Sequence, residues 1–319
     1  MGKVGTQKMK SKIIYLPLKG RIGNQLFQYA CARNLQLLSG ENPTIVIDDS
    51  EVLKNRWENS LSFYNLPNVE YIHNSLNKSF KTINFLSKTN LLRLFYLLLT
   101  RKKNYTKKYE IEKRINPYFN KMGGFFCENG YIEPNINFNQ PIIYLDGYFQ
   151  SPKYFEKNKS EIFKLFDGRQ FKELDLYPSI QKLRSRNSVC ISIKVEHNVG
   201  SELYDVCSNR YWKEAIQYVI NNIKDPLFFI CSDNIDYVLN NLIDTSNFEY
   251  VVQDSNFPVY VTLAAMNECK NFIIGNTSYG WWAQYLSKSP KKLVIAPSKW
   301  MAVDMPIALY EPSWHLIKV

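Results

Sequence analysis

The chain has 319 residues, 45% of them hydrophobic, which is enough for two α/β lobes with cores of their own or for one large domain. A formal net charge of +11 favours anionic partners such as phosphates or an acidic membrane surface. No nucleic-acid module accompanies the charge, which argues against a nucleic-acid binder, and three histidines with six scattered cysteines argue against a zinc site or a disulfide framework and fit a reducing cytoplasm.

Met1–Lys10 lacks the apolar core of a signal peptide. Lys12–Leu18 is an apolar run that reads as a first buried strand, and Gly20–Gln25 reads as a glycine-containing loop. Leu26–Ser39 has helical apolar spacing, with Gly40 as its C-terminal stop, and Thr44–Ile47 reads as a second strand. Asp48 and Asp49 are adjacent rather than spaced and read as helix-capping residues. A strand–loop–helix–strand start of this kind builds parallel α/β sheets.

The stretch of about 53–140 has few clear periods and reads as a variable, basic part of the first lobe, with one or two helices around Ile83–Leu99. Lys and Arg are dense from Lys78 to Lys121, and Arg101, Lys102, Lys103, Lys107 and Lys108 lie close together. That density suits either a solvated surface or attraction to anionic lipid head groups. The apolar run Leu91–Thr100 is too short to span a bilayer. It reads either as a core-packing helix or, with Lys88, Arg101 and Lys102 beside it, as an interfacial amphipathic helix.

Ile142–Tyr148 reads as a strand and Phe149–Phe166 as a helix-rich connection. A regular alternation then begins near Ser188. Strands are expected at Val189–Ile193, Leu227–Cys231, Phe248–Val252, Phe272–Ile274 and Leu293–Ala296. Helices are expected at Tyr211–Ile223, Ile235–Leu242, Tyr260–Met266 and Tyr279–Leu286. This alternation predicts a doubly wound, Rossmann-like lobe, whose ligands bind outside the carboxyl ends of the strands.

Three constellations could carry chemistry. In Gly20-Arg21-Ile22-Gly23-Asn24-Gln25, the glycines let the backbone turn tightly and approach a ligand, and Asn24 and Gln25 offer amides suited to sugar hydroxyls. The same run also reads as a plain loop that opens a helix. In Gly275-Asn276-Thr277-Ser278, small polar side chains at a helix start could cradle a phosphate or simply cap the helix. Cys231-Ser232-Asp233-Asn234 is a strand-end turn where a base or ribose could sit, and it equally suits a helix cap. Trp281 and Trp282 are expected to pack between lobes or against the sheet.

Together these residues resemble a known family. GRIGNQLFQYACARNL (from Gly20) is similar to the N-terminal signature of the family 11 glycosyltransferases, the α-1,2-fucosyltransferases. FFICSDNIDYV (from Phe228) and CKNFIIGNTSYGWWAQYLSKSPKKLVIAPSKW (from Cys269) resemble that family's central and C-terminal motifs. The motifs agree in order and spacing, and the likeness spans 13–50 and 189–300. It implies a GT-B-like fold of two Rossmann-like lobes: an acceptor-side lobe over 1–165 and a nucleotide-sugar lobe over 166–319. It also implies GDP-fucose as donor, inversion at the sugar, no metal and no cofactor, with positive groups and helix N-termini stabilising the leaving diphosphate. The implied acceptor is a galactoside or a surface-polysaccharide intermediate, and a lipid-linked one would sit at the cytoplasmic membrane face.

On this resemblance Lys194, Glu196, His197 and Asn24 are the catalytic candidates. Arg21, Gly23, Gln25, Ser232, Asp233, Asn276, Thr277 and Ser278 are the donor-binding candidates. Two departures stand out. The family's His-x-Arg-Arg-x-Asp motif aligns with Ser192-Ile193-Lys194-Val195-Glu196-His197, so a lysine replaces the first arginine and a valine the second. Lysine offers one point charge where arginine offers a fork. An acidic residue that would read a guanine edge is replaced by Thr262, fourteen positions before Asn276. Either the donor differs, or groups such as Glu196 or Asp254 substitute, or activity is weak.

Overall fold

The computed structural model describes residues 12–73 and 88–319, with the backbone alone over 88–93. The N-terminal stretch, the basic run before Lys88 and the start of the helix expected from Ile83 lie outside the described residues. The chain forms two compact units. One holds residues up to Arg21, Gln25–Asn59 and Asn65–Lys159; the other holds Ile22–Asn24, Ser60–Tyr64 and Ser160–Val319.

The first unit is built on a five-stranded parallel sheet of order β3-β2-β1-β5-β4. Its strands are β1 (Ile13–Pro17), β2 (Thr44–Asp48), β3 (Val69–Ile72), β4 (Gly124–Cys127) and β5 (Ile142–Gly147). β1, β2 and β5 are near-continuous apolar runs, as expected of strands covered on both faces. Strands β3 and β4 are not apparent in the sequence, because each has four residues set in an Asn- and Lys-rich region.

Helix α1 (Ile22–Leu38) follows β1, and the short α2 (Ser50–Lys54) follows β2. The expected Gly20–Gln25 loop is shorter than read. Gln25 N bonds to Arg21 O at 3.1 Å, so the helix already runs through Asn24 and Gln25. Gly40, at φ +71°, ends that helix as expected. Of the adjacent aspartates expected to cap, Asp49 holds the N-cap position of α2 without a side-chain cap bond and instead accepts from Asn59 Nδ2 at 2.7 Å and meets His73 Nδ1 at 3.0 Å, while Asp48 accepts from Ser50 N at 3.0 Å. Helices α3 (Lys88–Thr100) and α4 (Tyr105–Lys121) fill the segment between β3 and β4. Asn104 caps α4 by accepting from Lys107 N, and Asn116 clamps α4 to β4 through both its amide atoms, bonding Phe126 O at 2.7 Å and Phe126 N at 3.0 Å.

The second unit is a six-stranded parallel sheet of order β8-β7-β6-β9-β10-β11. Its strands are β6 (Asn187–Ile193), β7 (Pro226–Ser232), β8 (Glu249–Val252), β9 (Asn271–Ile274), β10 (Val294–Pro297) and β11 (His315–Ile317). This is the doubly wound order, with its switch point between β6 and β9. Helices α5 (Lys159–Leu165) and α6 (Ile180–Ser185) lead into it, and α7 (Asn209–Asn222) joins β6 to β7. The expected helix Ile235–Leu242 is only one α-helical turn, α8 (Ile235–Tyr237), which widens into a π-turn over Val238–Leu242. Helices α9 (Val259–Asn267) and α10 (Ser278–Leu286) flank β9. Strand β11 goes unread in the sequence because it has three residues and lies well past the expected last strand. The core beneath β6 and β7 packs Trp212, Ala215 and Val219 of α7 against Val189, Ile191, Phe228 and Ile230.

Candidate functional site

Every ladder of the second sheet is parallel, so β6, β7 and β9 end on one edge. Lys194 is the first residue past β6, and Asp233 the first past β7. The Asp233 carboxylate binds the β6 exit twice: Oδ1 accepts from Val195 N at 2.7 Å, and Oδ2 pairs with Lys194 Nζ. Both side chains are partly exposed, at 26% and 20%, so the ammonium stays open to a ligand. Ser232 is held through its backbone by the Gln253 amide, at 3.2 and 2.6 Å, and its hydroxyl accepts from Asn234 N at 3.1 Å. Asn234 in turn caps α8 by accepting from Tyr237 N at 3.0 Å. This turn therefore caps a helix, one of the two roles that its sequence allows, and it also presents a carboxylate to the β6 exit.

The β9 exit faces the same edge. Thr277 caps α10, its hydroxyl accepting from Gly280 N at 3.0 Å. Asn276 is buried, and its Nδ2 donates to Tyr204 O and Trp300 O, each at 3.0 Å. Its Oδ1 accepts from Asn198 Nδ2 at 3.4 Å. Asn276 thus ties down the loop that leaves β6 and supports the pocket wall. Gly280 lets α10 lie on β6, since a Cβ there would stand 2.8 Å from Ser192 Oγ. A small pocket opens at this switch point, lined by Lys194, Asn198, Tyr204, Asp205, Gly275 and Asn276. Cys207 closes one side of it, and burial pushes its thiol up to about 12, so it is no nucleophile at neutral pH. Sequence reasoning missed Asn198, Tyr204 and Trp300. The latter two act through backbone carbonyls, which leave no residue-type signal.

Within the second unit, Gly23 and Asn24 meet the start of α10. Ser278 Oγ donates to Asn24 Oδ1 at 3.0 Å, and Trp282 Nε1 donates to Gly23 O at 3.0 Å. A Cβ on Gly23 would lie 2.6 Å from Ser278 Oγ and 2.7 Å from both Ser278 C and Tyr279 N. Gly23, expected to let the backbone approach a ligand, makes a close approach to the N-terminus of α10. Trp281 and Trp282 are fully buried, and Trp281 Nε1 donates to Leu309 O at 2.9 Å.

The other candidates lie as follows. Gln25 is fully buried, and its Nε2 donates to Gly20 O at 3.0 Å and Glu58 O at 2.8 Å, so its amide shapes the turn after β1. Arg21 is exposed at the N-cap of α1. Glu196 and His197 are exposed in the turn beyond Lys194, with His197 in the left-handed region at φ +64°. Thr262 is buried on α9, close to the Tyr177 phenol. The same phenol accepts from Asp254 N at 2.9 Å.

The family model for glycosyl transferase family 11 matches residues 13–318. An Escherichia coli protein described as O-antigen biosynthesis glycosyltransferase WbnK is 27% identical over 321 residues, covering 94% of this chain and 99% of that one. An Escherichia coli alpha-1,2-colitosyltransferase is 26% identical over 161 residues, covering 48% of this chain and 54% of that one. Among solved structures, the NodZ alpha-1,6-fucosyltransferase co-crystallized with GDP matches with TM-score 0.52 at 13% identity, covering 90% of this chain and 95% of that one. At that identity the likeness establishes the two-lobed α/β fold alone.

Proposed function

Since this chain belongs to glycosyl transferase family 11, we propose that it moves L-fucose from GDP-fucose to a glycan hydroxyl in α-1,2 linkage, with inversion and without a metal. The observation that carries this reading is the pocket at the β6/β9 switch point, where Lys194 and Asn276 line one cavity. In a doubly wound lobe the nucleotide diphosphate binds there.

The acceptor oxygen attacks the anomeric carbon from the face opposite the nucleotide. The bond from that carbon to the β-phosphate oxygen breaks, and GDP departs with added negative charge. Lys194 Nζ is the positive group that neutralises it, aimed by Asp233. The N–H groups at the start of α10 add partial positive charge, and Thr277 fixes their direction. Ser232 and Ser278 offer hydroxyls to the ribose or phosphates, and Asn24, aligned by Ser278, faces the sugar. Glu196 and His197 are the candidates to accept the acceptor proton. Arg21 and Gln25 are the remaining donor-binding candidates, Arg21 as a cation and Gln25 as a residue that positions the turn after β1. The acceptor is an intermediate of an O-antigen-like surface polysaccharide, a reading supported by the description of one relative.

A second donor is supported by the other relative, an alpha-1,2-colitosyltransferase. Colitose is L-fucose without its 3-hydroxyl. A site built to hydrogen-bond a hydroxyl strongly rejects the analogue that lacks it, so turnover separates the two donors. The test is a screen of GDP-fucose, GDP-colitose, GDP-mannose and several UDP- and dTDP-sugars for transfer to fucosyl-acceptor glycans. Turnover of GDP-fucose above all others is expected. Preference for GDP-colitose installs the second donor, and nucleotide binding without turnover of any sugar contradicts the enzymatic reading.

A further inference from the structure

In the second unit, exposed large apolar side chains such as Leu176, Val259 and Leu316 stand well apart along the chain. Scattered residues of this kind are ordinary on a protein surface. Helix α3 differs. Leu94, Phe95, Leu97 and Leu98 are 56%, 53%, 52% and 63% exposed. At 100° per residue these four positions share one face of the helix. Tyr96 and Thr100 point the other way and are buried, with Tyr96 Oη donating to Glu112 Oε1 on α4 at 2.7 Å. The outward face of α3 over Leu94–Leu98 is therefore apolar, which in a water-exposed element marks a contact surface.

The residues that follow say what covers it. Arg101, Lys102, Lys103 and Lys107 come directly after the apolar face, and all four are exposed. None of these four side chains is paired with a carboxylate among the described residues. Lys108, the next cation, lies over the Tyr105 ring at 5.4 Å. An apolar helical face bordered by unpaired cations matches the boundary of an anionic bilayer, where leucines enter the acyl region and lysines meet phosphate head groups. A protein partner would need carboxylates around an apolar groove, and nothing in the chain selects one. Among the described residues no helix is long and apolar enough to cross a membrane, so the contact would be peripheral.

We propose that α3 and the basic turn after it form a docking surface for an anionic lipid bilayer. Leu94, Phe95, Leu97 and Leu98 insert, and Arg101, Lys102, Lys103 and Lys107 read the surface charge. This holds whichever sugar the protein transfers.

The test is co-sedimentation of the full chain with phosphatidylcholine vesicles, with and without phosphatidylglycerol. The variants are Leu97→Ser/Leu98→Ser and Lys102→Glu/Lys103→Glu/Lys107→Glu. All five side chains are exposed, so melting temperature and circular dichroism are expected to be unchanged. The wild type should partition to the anionic vesicles, weaken as salt rises, and lose about tenfold or more in either variant. Equal partition of wild type and variants, or a wild type that ignores anionic vesicles, overturns the proposal. A concentration-dependent dimer that the leucine variant abolishes, without vesicle binding, gives the face to a second copy of the chain and also overturns it.

Discussion

The carboxylate of Asp233 accepts from Val195 N at 2.7 Å and also pairs with Lys194 Nζ, so one residue fixes both the path of the β6 exit and the direction of its only cation. The family resemblance implies an arginine fork at this position, and this chain has Lys194 instead. A lysine ammonium on a flexible stem has no preferred direction of its own, and Asp233 supplies one.

Gly23 packs closely against the start of α10 within the second unit. An added methyl would meet Ser278 C and Tyr279 N at 2.7 Å, and both are backbone atoms that cannot swing aside. Gly23→Ala is expected to destabilise the fold by about 1–3 kcal/mol and to displace Asn24 from Ser278. Urea unfolding measures the first effect. A midpoint equal to that of the wild type contradicts this packing.

Asn276 satisfies two loop carbonyls, Tyr204 O and Trp300 O, with a single amide. Asn276→Ala leaves both without their donor, at a cost of about 1–3 kcal/mol. It should also weaken GDP binding, because the wall of the pocket loosens. Calorimetric titration with GDP reads the effect, and unchanged affinity contradicts a nucleotide site at the β6/β9 switch point.

Glu112 is fully buried on α4, accepts from Tyr96 Oη at 2.7 Å, and has no partner for its Oε2 among the described residues. Burial pushes its carboxyl from the ordinary 4.5 up to about 8, against the lowering effect of the Tyr96 and Glu128 hydrogen bonds. The folded value lies above the unfolded one, so the native state holds the proton between 4.5 and about 8 while the unfolded chain releases it. Stability should therefore fall as pH rises through that window, by at most about 1.4 kcal/mol per unit from this group. Glu112→Gln keeps an acceptor for Tyr96 and removes the slope. Its melting temperature should match the wild type near pH 5 and exceed it near pH 9, and parallel pH profiles contradict the assignment.

Much of this architecture was legible in the sequence, for reasons visible in particular residues. The IIYLP of β1 and the FFICS of β7 are apolar on both faces, as only covered parallel strands are. The Gly275–Ser278 turn announces a strand ending and a helix beginning, and both occur there. Strands β3, β4 and β11 escaped because three or four residues carry no period. The site divided in the same way. Lys194, Asp233 and Asn276 are polar residues at strand ends, where Rossmann-like lobes bind ligands, and the structure brings them to one sheet edge. The Lys194–Asp233 pairing joins residues 39 apart in sequence, and no local pattern encodes it. Gln25 is a polar residue in a glycine-rich motif, so the sequence suggests ligand contact, whereas its amide bonds to Gly20 O and Glu58 O.

The most direct test of the account is turnover of GDP-fucose by Lys194→Ala. The side chain is partly exposed and lies outside the core, so the variant should fold and melt like the wild type. On the proposed mechanism, loss of the cation at the β6 exit is expected to lower kcat by about a hundredfold or more. A folded Lys194→Ala enzyme that transfers fucose at the wild-type rate would contradict the account.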